Sequence, residues 1–187
     1  MEINTEGIII VSSPRSGGTN LMKSISSFYN KKYYFEPDIT KNQVEFNYKK
    51  DVVKYIPYHI DWIDNEELYD YDKILDKIFK FKNIILLDRK NKEHQAESFY
   101  HLIHYGTYYK NWIPTKINKN ENEYRKIKQF LYRTSYVIEK LSKDLNISIN
   151  YYEDVYLHKK INNENIKLDL QFFDKKYKLR KNQKNVI

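Results

Sequence analysis

A chain of 187 residues with 41% hydrophobic residues has the length and apolar content of one domain, 1–187, with a real buried core. Cysteine is absent, which excludes a disulfide framework, a thiolate nucleophile and Cys-ligated zinc. The formal charge of +8 favours an anionic partner.

Residues 1–7 carry two glutamates and no basic residue, and the apolar run that follows is too short for a signal or membrane-spanning segment. A soluble, cytoplasmic protein without a membrane span is expected. Strands are predicted over 8–12, 52–57, 83–88 and 147–152, each an apolar or β-branched run. Between them lie helical patterns. Residues 19–29 follow a glycine pair, with Leu21, Met22, Ile25 and Phe28 at helical spacing, and 65–81 repeats Leu68, Tyr71, Ile74, Leu75, Ile78 and Phe79. Helices are also predicted over 92–105 and 121–145. Strands alternating with helices, and a run such as Ile84-Ile85-Leu86-Leu87 that is apolar on both faces, imply an α/β fold with a parallel sheet covered on both sides. Residues 111–122, polar and interrupted by Pro114, form a predicted long loop, either a place for an acceptor-binding insertion or a mere connection. From 156 to 187 there are nine Lys and Arg against three Asp and Glu. This is read as a solvated basic tail; it carries no recognisable nucleic-acid-binding motif, so no nucleic-acid partner is expected.

The stretch Ser12-Ser13-Pro14-Arg15-Ser16-Gly17-Gly18-Thr19-Asn20-Leu21 connects the first strand to its helix, where backbone N–H groups and the helix dipole converge on an anion. Gly17 and Gly18 let the backbone approach phosphate oxygens. The NTPase pattern G-x-x-x-x-G-K-[ST] needs a lysine where this chain has Gly18, and a glycine where it has Ser12. Hydrolysis of ATP or GTP is therefore disfavoured, and Arg15 supplies positive charge from the front of the loop instead.

Pro14, Arg15, Ser16, Gly17 and Thr19 resemble the 5'-phosphosulfate loop of the sulfotransferase superfamily, Pro-Lys/Arg-Ser-Gly-Thr/Ser-Thr/Ser. Gly18 departs from it by removing a hydroxyl, and Asn20 stands where Trp or Leu is usual. A second stretch supports the likeness. Arg89 and Lys90 end the strand 83–88 at the carboxyl edge of the sheet, where open α/β sheets bind ligands. With Lys92, Gln95, Ala96 and Ser98 they are similar to Arg-Arg-Asp-Lys-x-x-Gln-Ala-x-Ser of bacterial trehalose-type sulfotransferases. The resemblance implies a P-loop, sulfotransferase-type fold. It also implies 3'-phosphoadenosine 5'-phosphosulfate (PAPS) as co-substrate and adenosine 3',5'-bisphosphate (PAP) as product. Arg15, Ser16, Gly17, Gly18, Thr19 and Asn20 would hold the 5' end of the nucleotide. Arg89, Lys90 or both, with Ser98, would hold the 3'-phosphate, through a bidentate fork and a hydroxyl donor. Residues 149–155 are similar to a Tyr-Glu-Asp-Leu segment that ties a late strand to neighbouring backbone. Arg180 and Lys181 are similar to a late Arg-Lys-Gly that grips the 3'-phosphate, although the glycine is missing.

The same resemblance implies sulfuryl transfer to a hydroxyl or amine of a small-molecule or carbohydrate acceptor, with no metal. Two bases compete for the acceptor proton. Glu36 follows the first helix, as the catalytic glutamate does in the trehalose-type enzymes, and is favoured. His59 follows the second predicted strand, as does the histidine of the cytosolic class. Lys54 is either a sulfate ligand or a solvated edge lysine. His94, His101 and His104 find no third ligand with metal spacing. Two rival readings remain: a small P-loop kinase, and an inactive relative that binds a phosphorylated ligand or nucleic acid.

Overall fold

Two runs with no polar alternation, Ile8–Ser12 and Asn83–Asp88, become adjacent buried strands, β1 and β4, in the computed structural model. It describes residues 6–37, 47–58, 69–105 and 119–155. The strand Val52–Tyr55 (β3) pairs with the other side of β1, and Tyr33–Phe35 (β2) lies outside β3. Ile149–Tyr151 (β5) pairs with β4. Among the described residues the sheet has five strands, all parallel, in the order β2-β3-β1-β4-β5. The expected α/β class, with helices on both faces of a parallel sheet, is what forms.

Side chains alternate between the faces of a strand, and both faces of β1 are buried. Ile8 and Ile10 pack with Leu21, Met22 and Ile25 of the helix Gly18–Tyr29 (α1), together with Ile85 and Leu87. Ile9, Val11, Ile84 and Leu86 turn the other way. They meet Ile74 and Ile78 of Tyr71–Phe79 (α2) and Ile127, Phe130 and Leu131 of Glu121–Asp144 (α4). The chain leaves β1 toward the β2 edge and returns from β3 to β4 in the opposite direction. Right-handed crossovers then place α1 and α2 on opposite faces.

Helix ends follow local chemistry. Asp70 caps α2 by accepting from the Lys73 N–H at 2.9 Å, and its extended backbone fixes the start at Tyr71. The helix predicted from 65 therefore begins later than expected; 65–68 lie outside the described residues. Asn120 caps α4 by accepting from the Asn122 and Glu123 N–H groups at 3.1 and 3.2 Å, with two glutamates in the first turn where the dipole favours them. Lys92–Tyr105 (α3) and the single turn Tyr152–Val155 (α5) complete the set. Among the described residues no helix is long and apolar enough to cross a membrane.

The carboxyl ends of β1, β3 and β4 lie side by side at one edge of the sheet. The connections that leave them carry the sequence features singled out above.

Candidate functional site

The turn from β1 into α1 is held by a polar network rather than by apolar packing. The Ser13 N–H donates to the Leu87 carbonyl at 3.1 Å, continuing the ladder one residue past β1. The Ser13 hydroxyl donates to Asp88 Oδ1 at 2.5 Å and accepts from Gln95 Nε2 at 2.7 Å. Gln95 Nε2 also donates to the Pro14 carbonyl at 2.5 Å. The Lys92 ammonium donates to Asp88 Oδ1 at 2.6 Å and to Gln95 Oε1 at 3.2 Å. Ser13, Asp88 and Gln95 are all buried, so each polar group finds its partner inside the protein, as burial demands. The end of β4 and the first turn of α3 thus clamp the loop. Two of its residues adopt left-handed backbone: Gly17 at φ 82°, where a glycine is needed, and Arg15 at φ 58°.

Two matched residues of the second stretch, Lys92 and Gln95, therefore position the loop through its own backbone and Ser13. Asp88 does the same and carried no functional reading in the sequence; nothing in a strand-terminal aspartate distinguishes a loop anchor from a solvated end. Asp88→Ala is expected to cost about 3–5 kcal/mol, because the Lys92 ammonium and the Ser13 hydroxyl lose their shared acceptor. Urea denaturation of the variant measures it.

Ser16 is also buried, and its hydroxyl donates to the Ser13 carbonyl at 2.6 Å. Its side chain shapes the loop, which leaves its backbone N–H as the group to offer an anion. Thr19 is half-buried and Asn20 exposed, both in the first turn of α1.

Gly18 has a structural cause. A Cβ there would lie 2.6 Å from Ser12 Oγ and 2.9 Å from Lys54 Cε. The volume a serine or threonine would fill is taken by the lysine stem from β3. Lys54 is 4% exposed and its strand is flanked on both sides, so it is not a solvated edge residue. Its ammonium pairs with the Glu36 carboxylate and lies 4.7 Å from the centre of the Phe35 ring. Burial lowers its pKa below the ordinary lysine value, and Glu36 works against that shift. Glu36 sits just past the end of β2 in left-handed backbone, φ 46°, with its N–H donating to the Lys54 carbonyl at 2.9 Å.

The two sequence stretches meet at Arg15, whose Nε donates to Ser98 Oγ at 2.8 Å across 83 positions of chain. Arg89 Nη1 reaches the Arg15 carbonyl at 3.4 Å, and the Arg89 guanidinium lies 4.8 Å from the centre of the Tyr152 ring. Two cationic side chains are thus brought to one corner of the sheet edge. Arg15 is exposed, yet partial desolvation against the loop, and after it the charge of Arg89, lowers its pKa from the usual guanidinium value. Lys90 goes elsewhere: it is exposed, its ammonium is 2.7 Å from Asp154 Oδ1, and that hydrogen bond raises its pKa. Of the two basic residues, Arg89 shares the corner with Arg15 and Ser98. Glu153 ties the strand end as expected, accepting from the Lys90 and Asn91 N–H groups at 2.9 and 3.1 Å.

His59, Arg180, Lys181 and the basic tail lie outside the described residues, as do 111–118 of the expected long loop. His104 Nε2 is 3.1 Å from Glu123 Oε2, and among the described residues no group of three His, Asp or Glu side chains is arranged to hold a metal. No protein-family model and no curated protein matches the chain.

Proposed function

We propose that the chain is a P-loop-type sulfotransferase that moves the sulfuryl group of PAPS to a hydroxyl or amine of a small-molecule or carbohydrate acceptor, acting in the cytoplasm. The observation that carries this reading is the 2.8 Å hydrogen bond from Arg15 to Ser98. It joins a glycine-bearing loop to the second turn of α3, the helix that follows the neighbouring strand, and so brings together the two stretches that resemble the 5'- and 3'-phosphate sites. A nucleotide phosphorylated at both ends needs two anion sites on one sheet edge; the loop with Arg15 would serve the 5' end, and Ser98, with Arg89 from its ion pair to Glu153 at 3.7 Å, would serve the 3'-phosphate.

In the proposed reaction the acceptor oxygen attacks sulfur in line with the bridging oxygen. A bond forms from acceptor oxygen to sulfur as the bond from sulfur to the bridging oxygen breaks. The electron pair stays on the 5'-phosphate of the departing bisphosphate, and the acceptor proton passes to Glu36 or His59. The transition state is loose, so positioning and charge stabilisation do most of the work. Arg15 and the loop N–H groups neutralise the charge that grows on the leaving phosphate. Glu36 is the favoured base because it stands on the same sheet edge as the loop, joined to it through Lys54.

Transfer of radiolabelled sulfur from PAPS to a panel of sugars, phenols and amines tests the reading, with release of PAP as the second readout. Ser98→Ala is expected to weaken PAP binding about 10- to 100-fold, the worth of one hydrogen bond to a charged group. Unchanged PAP affinity in that variant would remove Ser98 from the site. One observation favours a second reading, a phosphotransferase: the Lys54 stem beside Gly18 brings an ammonium close to the loop that lacks the Walker lysine. Transfer from ATP with magnesium, and none from PAPS, would establish it.

A further inference from the structure

We infer that Glu36 stands in for the terminal anion of the donor: its carboxylate holds the Lys54 ammonium beside the phosphate loop until the entering sulfonate takes that ammonium over, which releases Glu36 toward the acceptor. This rests on the sulfotransferase reading for the identity of the anion, and on the geometry of three residues for the exchange.

The first element is a fixed cation. The Lys54 stem and the Ser12 side chain together fill the space that the missing Cβ of Gly18 leaves, with Lys54 Cε 2.9 Å and Ser12 Oγ 2.6 Å from that position, and Lys54 is buried on a strand paired on both sides. Its ammonium, one bond further on, is therefore confined close to the start of α1. A buried ammonium requires a counter-charge. The positive charge of Arg15 also disfavours the charged state of Lys54, a repulsion that an anion bound at the loop would relieve.

The second element is a releasable anion. The Glu36 backbone is anchored by its N–H to the Lys54 carbonyl at 2.9 Å, but its side chain is 31% exposed against 5% for that of Lys54. The carboxylate can swing into solvent or toward an acceptor without breaking the ladder, whereas the ammonium cannot follow it. A sulfonate arriving at the loop therefore competes with Glu36 for a cation that stays in place. Glu36 is therefore engaged as long as the donor is absent, and Gly18 leaves room for the Lys54 stem beside Ser12.

The experiment compares two ligands that differ by the sulfonate alone, PAPS and PAP, titrated without acceptor into the wild-type chain, Glu36→Gln and Lys54→Met. In Glu36→Gln the affinity for PAPS is expected to rise about tenfold over the wild type, while that for PAP stays unchanged. In Lys54→Met the two ligands should bind alike. The inference is overturned if Glu36→Gln binds PAPS no more tightly than the wild type does. It is equally overturned if both ligands tighten together, which would report only the removal of a negative charge. Should Glu36→Gln not fold, Glu36→Ala removes the same carboxylate and should tighten PAPS but not PAP; unchanged PAPS affinity in that variant overturns the proposal. A wild-type chain that binds neither nucleotide would contradict the sulfotransferase reading. The exchange is then judged with inorganic sulfate, which Glu36→Gln should bind more tightly than the wild type.

Discussion

Arg15→Ala is expected to lower sulfuryl transfer at saturating donor by about 100- to 1,000-fold, the loss measured when one preorganised donor to a developing negative charge is removed. Arg15 stands where the loop turns, in left-handed backbone at φ 58°, with Nε engaged by Ser98. The remaining guanidinium donors are what a leaving phosphate would meet. The kinetic pattern separates two roles. A fall in kcat and kcat/KM together places the contact in the transition state, whereas a rise in KM with kcat unchanged would make Arg15 a binding residue only.

Glu36→Gln is expected to lower turnover by about 100- to 10,000-fold, the range for loss of a general base, with PAP affinity unchanged. Glutamine keeps the shape, and the backbone hydrogen bond to Lys54 is unaffected, but it takes no proton. Single-turnover transfer to a hydroxyl acceptor measures the loss. Full turnover in this variant would move the base role to His59. The two variants fail differently: Arg15→Ala loses stabilisation of the leaving group, and Glu36→Gln loses activation of the acceptor. A phosphate leaving group would benefit from Arg15 whatever the acceptor. An amine acceptor that enters unprotonated would depend less on Glu36 than a hydroxyl does.

The sheet was legible wherever a strand is buried on both faces. Ile8 to Val11 and Ile84 to Leu87 are unbroken apolar runs, and they form β1 and β4 with the expected bounds. The strand that escaped notice is β2, Tyr33–Phe35, three residues long, with Tyr33 and Phe35 exposed. An edge strand this short has neither an apolar run nor enough length for alternation to register. Without β2, β3 reads as the sheet edge and Lys54 as its solvated lysine; with β2 outside it, Lys54 is buried and needs Glu36. The predicted strands 52–57 and 147–152 shorten to Val52–Tyr55 and Ile149–Tyr151, the usual uncertainty at element ends.

The loop was legible as a glycine pair between a strand and a helix, and the second stretch as a basic strand end followed by a helix. Their contact through Arg15 and Ser98 depends on β1 and β4 being neighbours, which order along the chain does not reveal. The division of labour was not legible either. Ser13, Asp88 and Gln95 build the loop, and Arg89 rather than Lys90 shares its corner, because Asp154 one turn past β5 draws Lys90 away. Residue type and spacing are the same for a side chain that faces a ligand and one that faces a loop; only the packing partner differs.

The loop and the Arg15, Arg89 and Ser98 corner together are proposed to form a site for a nucleotide phosphorylated at both its 3' and 5' positions. Calorimetric titration with PAP in the absence of magnesium, with ATP as the control, tests it most directly. Saturable binding of PAP and none of ATP is the predicted result; no binding of PAP, or equal binding of both nucleotides, would contradict it.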